Sequence, residues 1–73
     1  MKTKQIPFQK QIWCKIRYYQ QLHDISNEKL SMIMGVNERT LREYDKSADH
    51  ITLEKVGNFL LYNSLSIKEL MEQ

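Results

Sequence analysis

The sequence predicts a small all-α fold of five helices. Only two glycines and one proline occur among its 73 residues, which favours helices over turn-rich β structure. Apolar side chains recur at intervals of three and four residues, the spacing that places them on one helix face. Residues that favour helix N-termini precede most of these apolar runs. The length accommodates one domain, with a thin core because so short a chain buries only about 60% of the surface of its unfolded form.

The first helix is predicted to cover about 8–22. Pro7 suits the first turn of a helix, where its missing N–H costs nothing. An apolar stripe at helical spacing follows, made of Phe8, Ile12, Ile16, Tyr19 and His23, and we expect its first four members to be core residues. Trp13 lies off this stripe, so it is either exposed, as an anchor for a partner, or packed on the last helix. Cys14 is expected to be half-buried.

Two short helices are predicted next, joined by a tight turn. Ser26 is a good N-cap for the second helix, whose apolar face is Leu30, Ile33 and Met34. Gly35 suits the left-handed conformation that ends a helix. Val36 is the apolar plug of the turn, and Asn37 is the N-cap of the third helix. That helix covers 38–46, with Leu41 and Tyr44 facing inward.

A polar loop over 47–51 precedes the fourth helix, which Thr52 caps. Its predicted buried side consists of Leu53, Val56, Phe59 and Leu60. Ser66 and Glu69 have the spacing of a capping box, in which the serine caps the helix and the glutamate bonds back to the serine backbone. The fifth helix extends to about residue 72.

The run SNEKLSMIMGVNERTLREYD, residues 26–45, resembles the helix-turn-helix of the Cro/repressor (XRE-type) family of phages and mobile elements. The similarity continues without a gap over 16–70, about 55 of the 73 residues. It implies a five-helix Cro/repressor-like domain at 8–73 with its motif at 26–46, preceded by a basic N-terminal arm at 1–7. It also implies a cytoplasmic transcription regulator in a lysogeny switch.

The resemblance implies roles for individual residues. Asn27 matches a position that binds phosphate, and Lys46 matches one that contacts the DNA backbone. Glu38, Arg39 and Glu43 match positions that face base edges. The full predicted DNA- or partner-binding set is Asn27, Asn37, Glu38, Arg39, Thr40, Arg42, Glu43 and Lys46.

Two residues depart from the pattern of the family. Gln20 stands where many relatives have an arginine paired with the acid that matches Asp45. We expect a Gln20–Asp45 hydrogen bond to replace that ion pair, and to be weaker than it. Ser47 stands where a glycine is usual.

The third helix has a self-neutralised surface. Glu38 precedes Arg42 by four residues, and Arg39 precedes Glu43 by four, so two favourable helix pairs of about 0.2–0.5 kcal/mol each are expected. Affinity for DNA comes largely from cations that neutralise phosphates. A helix of this composition therefore needs cations from elsewhere in the chain.

Those cations are concentrated before the motif. Residues 1–23 hold Lys2, Lys4, Lys10, Lys15 and Arg17 and no acid, a net charge of +5. Residues 24–73 hold nine acids and six bases, a net charge of −3. The basic segment 2–17 could supply phosphate contacts, or it could be a solvated arm.

This charge pattern leaves two functions open. In the first, the protein dimerises and places its third helix in successive major grooves of operator DNA, about 34 Å apart. In the second, the same helix binds the basic DNA-reading face of a partner phage repressor and blocks it, because complementary charge steers such an encounter. The chain resembles small phage antirepressors of the modulator-of-repression type in size and motif. A solvated helix face without a partner is the plain alternative.

Other sites are expected to be absent. No nucleophile–base pair or glycine-rich phosphate loop is present, so we predict no enzyme activity, no small-molecule substrate and no cofactor. No metal site is expected, because His23, His50 and Cys14 have no recognised ligand spacing. No stretch reaches the roughly 20 apolar residues of a membrane span, and the start is not that of a signal peptide. A lone cysteine fits a reducing compartment.

The C-terminal third contains more apolar residues than one thin core needs. Leu61, Tyr62 and Met71 are the surplus, and we interpret them as a homodimer patch.

Overall fold

A computed structural model describes residues 6–73 of the chain. The helices are α1 Phe8–Leu22, α2 Asn27–Met34, α3 Glu38–Lys46, α4 Leu53–Tyr62 and α5 Ile67–Met71, with no strand in the described part. The predicted all-α class is therefore confirmed, and each helix begins where the sequence places it. Most of the predicted basic arm, including Lys2 and Lys4, lies outside the described residues.

Side-chain caps explain why four of the helices begin where they do. Ser26, Asn37, Thr52 and Ser66 each accept a hydrogen bond from the backbone N–H three residues on. At Ser66 the bond is reciprocal, since Glu69 accepts from the serine backbone N–H. Each cap satisfies a donor that the helix itself leaves free, worth about 1 kcal/mol.

The turn between α2 and α3 depends on Gly35. Its φ of 76° lies in the left-handed region, and its N–H bonds back to Ser31. The N–H of Val36 bonds to the same carbonyl, which closes the turn. This geometry redirects the chain within three residues and lets α3 pack against α2.

One core joins all five helices. Its fully buried side chains include Ile16, Leu30, Leu41, Phe59 and Leu70, one from each helix in turn. The most extensive contacts between helices join α2 with α4, α1 with α5 and α2 with α3. None of the described helices is both long enough and apolar enough to cross a bilayer.

Three predictions about burial are wrong. Phe8 and Leu53 were expected in the core, yet they are 57% and 83% exposed. Each is the first residue of its helix, and its side chain stays largely exposed although its spacing matches the buried face. Cys14 was expected to be half-buried and is exposed.

Trp13 is not exposed, and its ring packs against α3. It is buried, and its ring meets Tyr44 of α3 edge to face at a centroid distance of 5.1 Å. The buried face of α1 is therefore wider than the predicted stripe. Ile12 and Ile16 contribute to the common core, while Trp13 adds a second contact toward α3.

Candidate interaction surface

The third helix presents a nearly complete polar face. Of its nine residues only Leu41 and Tyr44 are buried, and Thr40 is half-buried. The exposed residues are Glu38, Arg39, Arg42, Glu43, Asp45 and Lys46. Five of the eight predicted site residues are thus brought together on one exposed helix.

Two other predicted site residues lie at the start of this helix and contact each other. The Oδ1 of Asn37 accepts hydrogen bonds from both the backbone N–H and the hydroxyl of Thr40, each at 2.9 Å. The Asn37 oxygen and the Thr40 hydroxyl are therefore already engaged at the start of α3. The structure supports a capping role for Asn37 more directly than a contact to a partner.

The charged side chains of α3 are largely free to meet a partner. Arg39 and Glu43 approach to 3.9 Å, with side chains 81% and 65% exposed. So exposed a pair is worth at most about 1 kcal/mol and is easily exchanged for another contact. The predicted Glu38–Arg42 ion pair does not form.

A polar network fastens the end of α3 to α1. Asp45 Oδ1 accepts from Trp13 Nε1 at 2.8 Å and from Arg17 Nε at 3.0 Å. Asp45 Oδ2 accepts from Arg17 Nη2 at 2.8 Å, so the arginine holds the carboxylate with two parallel bonds. The Arg17 guanidinium also lies 5.0 Å from the centroid of the Trp13 ring.

The same arginine reaches the first residue of α2. Its Nη1 donates to Gln20 Oε1 at 2.6 Å and to Asn27 Oδ1 at 2.8 Å. The Nε2 of Gln20 donates to the same Asn27 oxygen at 2.9 Å. The predicted Gln20–Asp45 hydrogen bond is therefore wrong, because Arg17, one turn earlier on α1, takes the aspartate and Gln20 bonds to α2 instead.

The network sets the protonation of Asp45. Hydrogen bonds from Arg17 hold the pKa of Asp45 below its ordinary value of 3.8, and the Trp13 bond acts in the same direction against partial burial. Burial raises the pKa of the neighbouring Tyr44, and the negative charge of Glu43 adds to that rise. Asp45 is therefore a carboxylate, and Tyr44 a neutral phenol, over the ordinary pH range.

Pairing with Arg17 changes the charge that α3 presents. With Asp45 neutralised, the exposed face holds two acids, Glu38 and Glu43, against the three cations Arg39, Arg42 and Lys46. The face is therefore weakly basic. Arg17 supports it indirectly, by neutralising a negative charge, a role different from the two that the sequence left open for the basic segment.

Asn27 is placed to donate a hydrogen bond outward. It is exposed at the first position of α2, and its Oδ1 is held by Arg17 and Gln20. Its side-chain NH2 donates no hydrogen bond within residues 6–73. Because the oxygen is held by the network, the NH2 group on the same carbon is left for an acceptor outside the network.

The residues of the predicted homodimer patch are only partly brought together. Leu61 and Tyr62 are exposed and line one shallow groove with Met32. Met71 is half-buried against the core and does not line that groove.

Within the described chain, no three His, Cys, Asp or Glu residues converge on a point that could hold a metal ion.

Sequence reasoning missed Trp13 and Arg17 as the residues that orient α3. Their spacing of four places both on one side of α1, and an aromatic paired with a cation at that spacing is a usable signal. Which acid they meet depends on the tertiary arrangement.

Comparisons with protein-family models, curated proteins and solved structures find no match for this chain. The case for a function accordingly depends on this surface alone.

Proposed function

We propose that the protein is a helix-turn-helix transcription regulator of the Cro/repressor type that binds operator DNA through α3. The observation that carries this proposal is the exposed polar face of α3, made net basic by the Arg17–Asp45 pair and fixed from behind by Leu41 and Tyr44. A helix of this width fits the major groove of B-DNA, where base edges are distinguishable.

The charges of the face suit a helix that recognises base pairs and binds the DNA phosphates only weakly. Arg39 and Arg42 are the cations that can reach guanine O6 and N7 or a phosphate. Glu38 and Glu43 can each accept from a cytosine N4, worth about 1–3 kcal/mol of discrimination. Recognition would therefore depend on the correct base pairs more than on non-specific attraction.

Contacts on either side of α3 would set the register. The NH2 of Asn27 and the N-terminus of α2 form a donor group suited to one phosphate. Lys46 ends α3 on the other side and is exposed. Phosphate contacts of this kind orient a protein on the duplex without selecting a sequence.

The test is a set of single variants on the DNA that flanks the encoding gene, with a scrambled duplex as reference. Arg39→Ala should lower affinity for the preferred site by about 10- to 100-fold and leave the scrambled duplex nearly unchanged, as loss of a base contact does. Lys68→Ala, an equal charge change at an exposed position of α5, is the control and should change the affinity for neither duplex. Equal losses on both duplexes in Arg39→Ala would contradict a base-reading role.

A second function is favoured by the exposed acids of α3. Glu43 is largely free although Arg39 is within 3.9 Å, and Glu38 is exposed without an ion pair among the described residues. Both would repel DNA phosphates but attract the basic recognition helix of a partner repressor. In this function the protein is an antirepressor that occupies the DNA-reading face of its partner.

A double charge reversal separates the two functions. Glu38→Lys with Glu43→Lys should abolish binding to the repressor encoded beside the gene if the protein is an antirepressor, and should strengthen its binding to any duplex. If the protein reads DNA itself, the same variant should lose its preference for one site. Binding of the purified repressor, measured with and without the flanking duplex, distinguishes these results.

A further inference from the structure

The outer face of α4 presents apolar residues that the core does not use. Leu53 and Leu61 are 83% and 82% exposed, more than any other large apolar side chain in the described chain. Gly57 lies midway, four residues from each. Residues at this spacing lie on one helix face, and we call these three residues the α4 strip.

The glycine in this strip has no use within the described fold. A Cβ added at Gly57 would meet nothing within 4 Å, and its backbone is ordinary right-handed helix. Glycine is unfavourable inside a helix relative to alanine, so its presence calls for another reason. A helix face with no side chain at its centre lets a second backbone approach closely.

Each end of the strip pairs a projecting leucine with an apolar groove. At the beginning of α4, Leu53 lines a groove with Phe8 and Ile51. At the end of α4, Leu61 lines a groove with Met32 and Tyr62. The two leucines are about 12 Å apart along the helix, given its rise of 1.5 Å per residue.

We infer that this face binds a second copy of the same chain, with the two α4 helices antiparallel and crossing at Gly57. Because Leu53 and Leu61 are equally far from Gly57, an antiparallel copy brings Leu53 of each protomer to the Leu61 groove of the other. The patch is thus complementary to itself, which is the requirement of a closed two-fold interface. Repeated addition into a fibre is excluded by that closure.

Charge complementarity supports the same arrangement. Glu54 lies one turn before Asn58, whose side chain bonds to the Met34 carbonyl, so Glu54 borders the side of α4 that faces α2. Lys29 of α2 lines the groove at the opposite end and lies 5.3 Å from the Tyr62 ring centroid. The two-fold operation brings Glu54 of each copy to Lys29 of the other, so one such pair forms at each end of the interface.

This interface goes beyond the proposed function and does not depend on it. None of the residues of α3 belongs to the strip or its two grooves, so both polar faces stay exposed in the dimer. It also differs from the patch that the sequence indicated, since Leu53 and Gly57 belong to it and Met71 does not. An interface built on so few side chains is at the small end of the known range, so we expect reversible association.

The experiment is sedimentation equilibrium of the full chain without DNA. The mass should rise from 8.8 kDa toward twice that value by a concentration on the order of 100 µM. Leu61→Gln should weaken association by about 100-fold or more, because each dimer loses two buried leucines. Leu22→Gln is the matched control, an equally conservative change at an exposed leucine that lines neither groove, and should leave the mass unchanged.

Two further variants keep the test independent of folding. Gly57→Gln meets open space in the monomer, so helix content and melting temperature should be retained while the dimer is lost. Glu54→Lys should weaken association about tenfold, and adding Lys29→Glu should restore it. A mass of 8.8 kDa at every concentration overturns the inference, as does a dimer that survives Gly57→Gln.

Discussion

Replacing Asp45 with alanine tests how α3 is held. The side chain accepts hydrogen bonds from Trp13 Nε1 and from two nitrogens of Arg17, so the change releases three donors at once. Their environments differ. Trp13 is buried, whereas the Arg17 side chain is 23% exposed and can regain water.

The expected loss is about 2 kcal/mol. A buried donor left without its acceptor costs about 1–3 kcal/mol, and we take the lower half because Asp45 is 47% exposed and water can replace it. The Arg17 ion pair adds at most about 1 kcal/mol after solvent screening. For a domain of this size, 1 kcal/mol lowers the melting temperature by roughly 4–8 °C, so the variant should melt about 8–16 °C lower.

The stability lost in Asp45→Ala should be larger at neutral pH than at acidic pH. The folded-state pKa of Asp45 is depressed, so its stabilisation is complete above the ordinary value of 3.8 and is lost as the pH falls through the folded-state value. The difference between wild type and Asp45→Ala should therefore be full at pH 7 and shrink below about pH 4.

Urea unfolding followed by circular dichroism at pH 7 and pH 3 gives the loss of unfolding free energy and its dependence on pH. Asp49→Ala, an exposed acid in the loop after α3 whose carboxylate makes no hydrogen bond or ion pair within residues 6–73, is the control and should stay within about 0.5 kcal/mol of wild type. A loss below about 0.5 kcal/mol at pH 7, or an equal loss at both pH values, would refute the reasoning.

Three other substitutions should follow from local geometry. Gly35→Ala should cost about 1–2 kcal/mol in urea unfolding, because φ is 76° there while the added Cβ meets only ordinary contacts; Gly35→Asn should cost less. Phe59→Ala should cost about 3–5 kcal/mol, close to the whole stability of so small a domain, and a native-like melting curve would count against the assigned core. Ser66→Ala should cost about 1 kcal/mol and speed amide exchange in α5 alone; an unchanged exchange pattern would show that the capping box is unimportant.

The features that the sequence predicted best are local ones. Ser26, Asn37, Thr52 and Ser66 act as caps because each lies next to the backbone N–H groups it bonds, so no distant residue is needed. The glycine turn is local in the same way. The motif therefore identified the exposed face of α3 from the sequence alone.

The features that the sequence missed depend on how helices meet. Phe8 and Leu53 have the spacing of core residues, yet the packing of the helices leaves both of them largely exposed. The partner of Asp45 is Arg17 and not Gln20, because the position of α1 across α3 decides which side chain reaches the carboxylate. Helical periodicity contains no information about either arrangement.

The salt dependence of DNA binding tests the central claim most directly. On the duplex that flanks the encoding gene, between about 50 and 200 mM salt, the logarithm of affinity should fall against the logarithm of salt concentration. The two cations of the face left for phosphates when Arg39 contacts a base, Arg42 and Lys46, predict a slope of about −1.8 per protomer, and Arg42→Ala should bring it to about −0.9. A slope near zero, or one that Arg42→Ala leaves unchanged, would contradict DNA binding through α3.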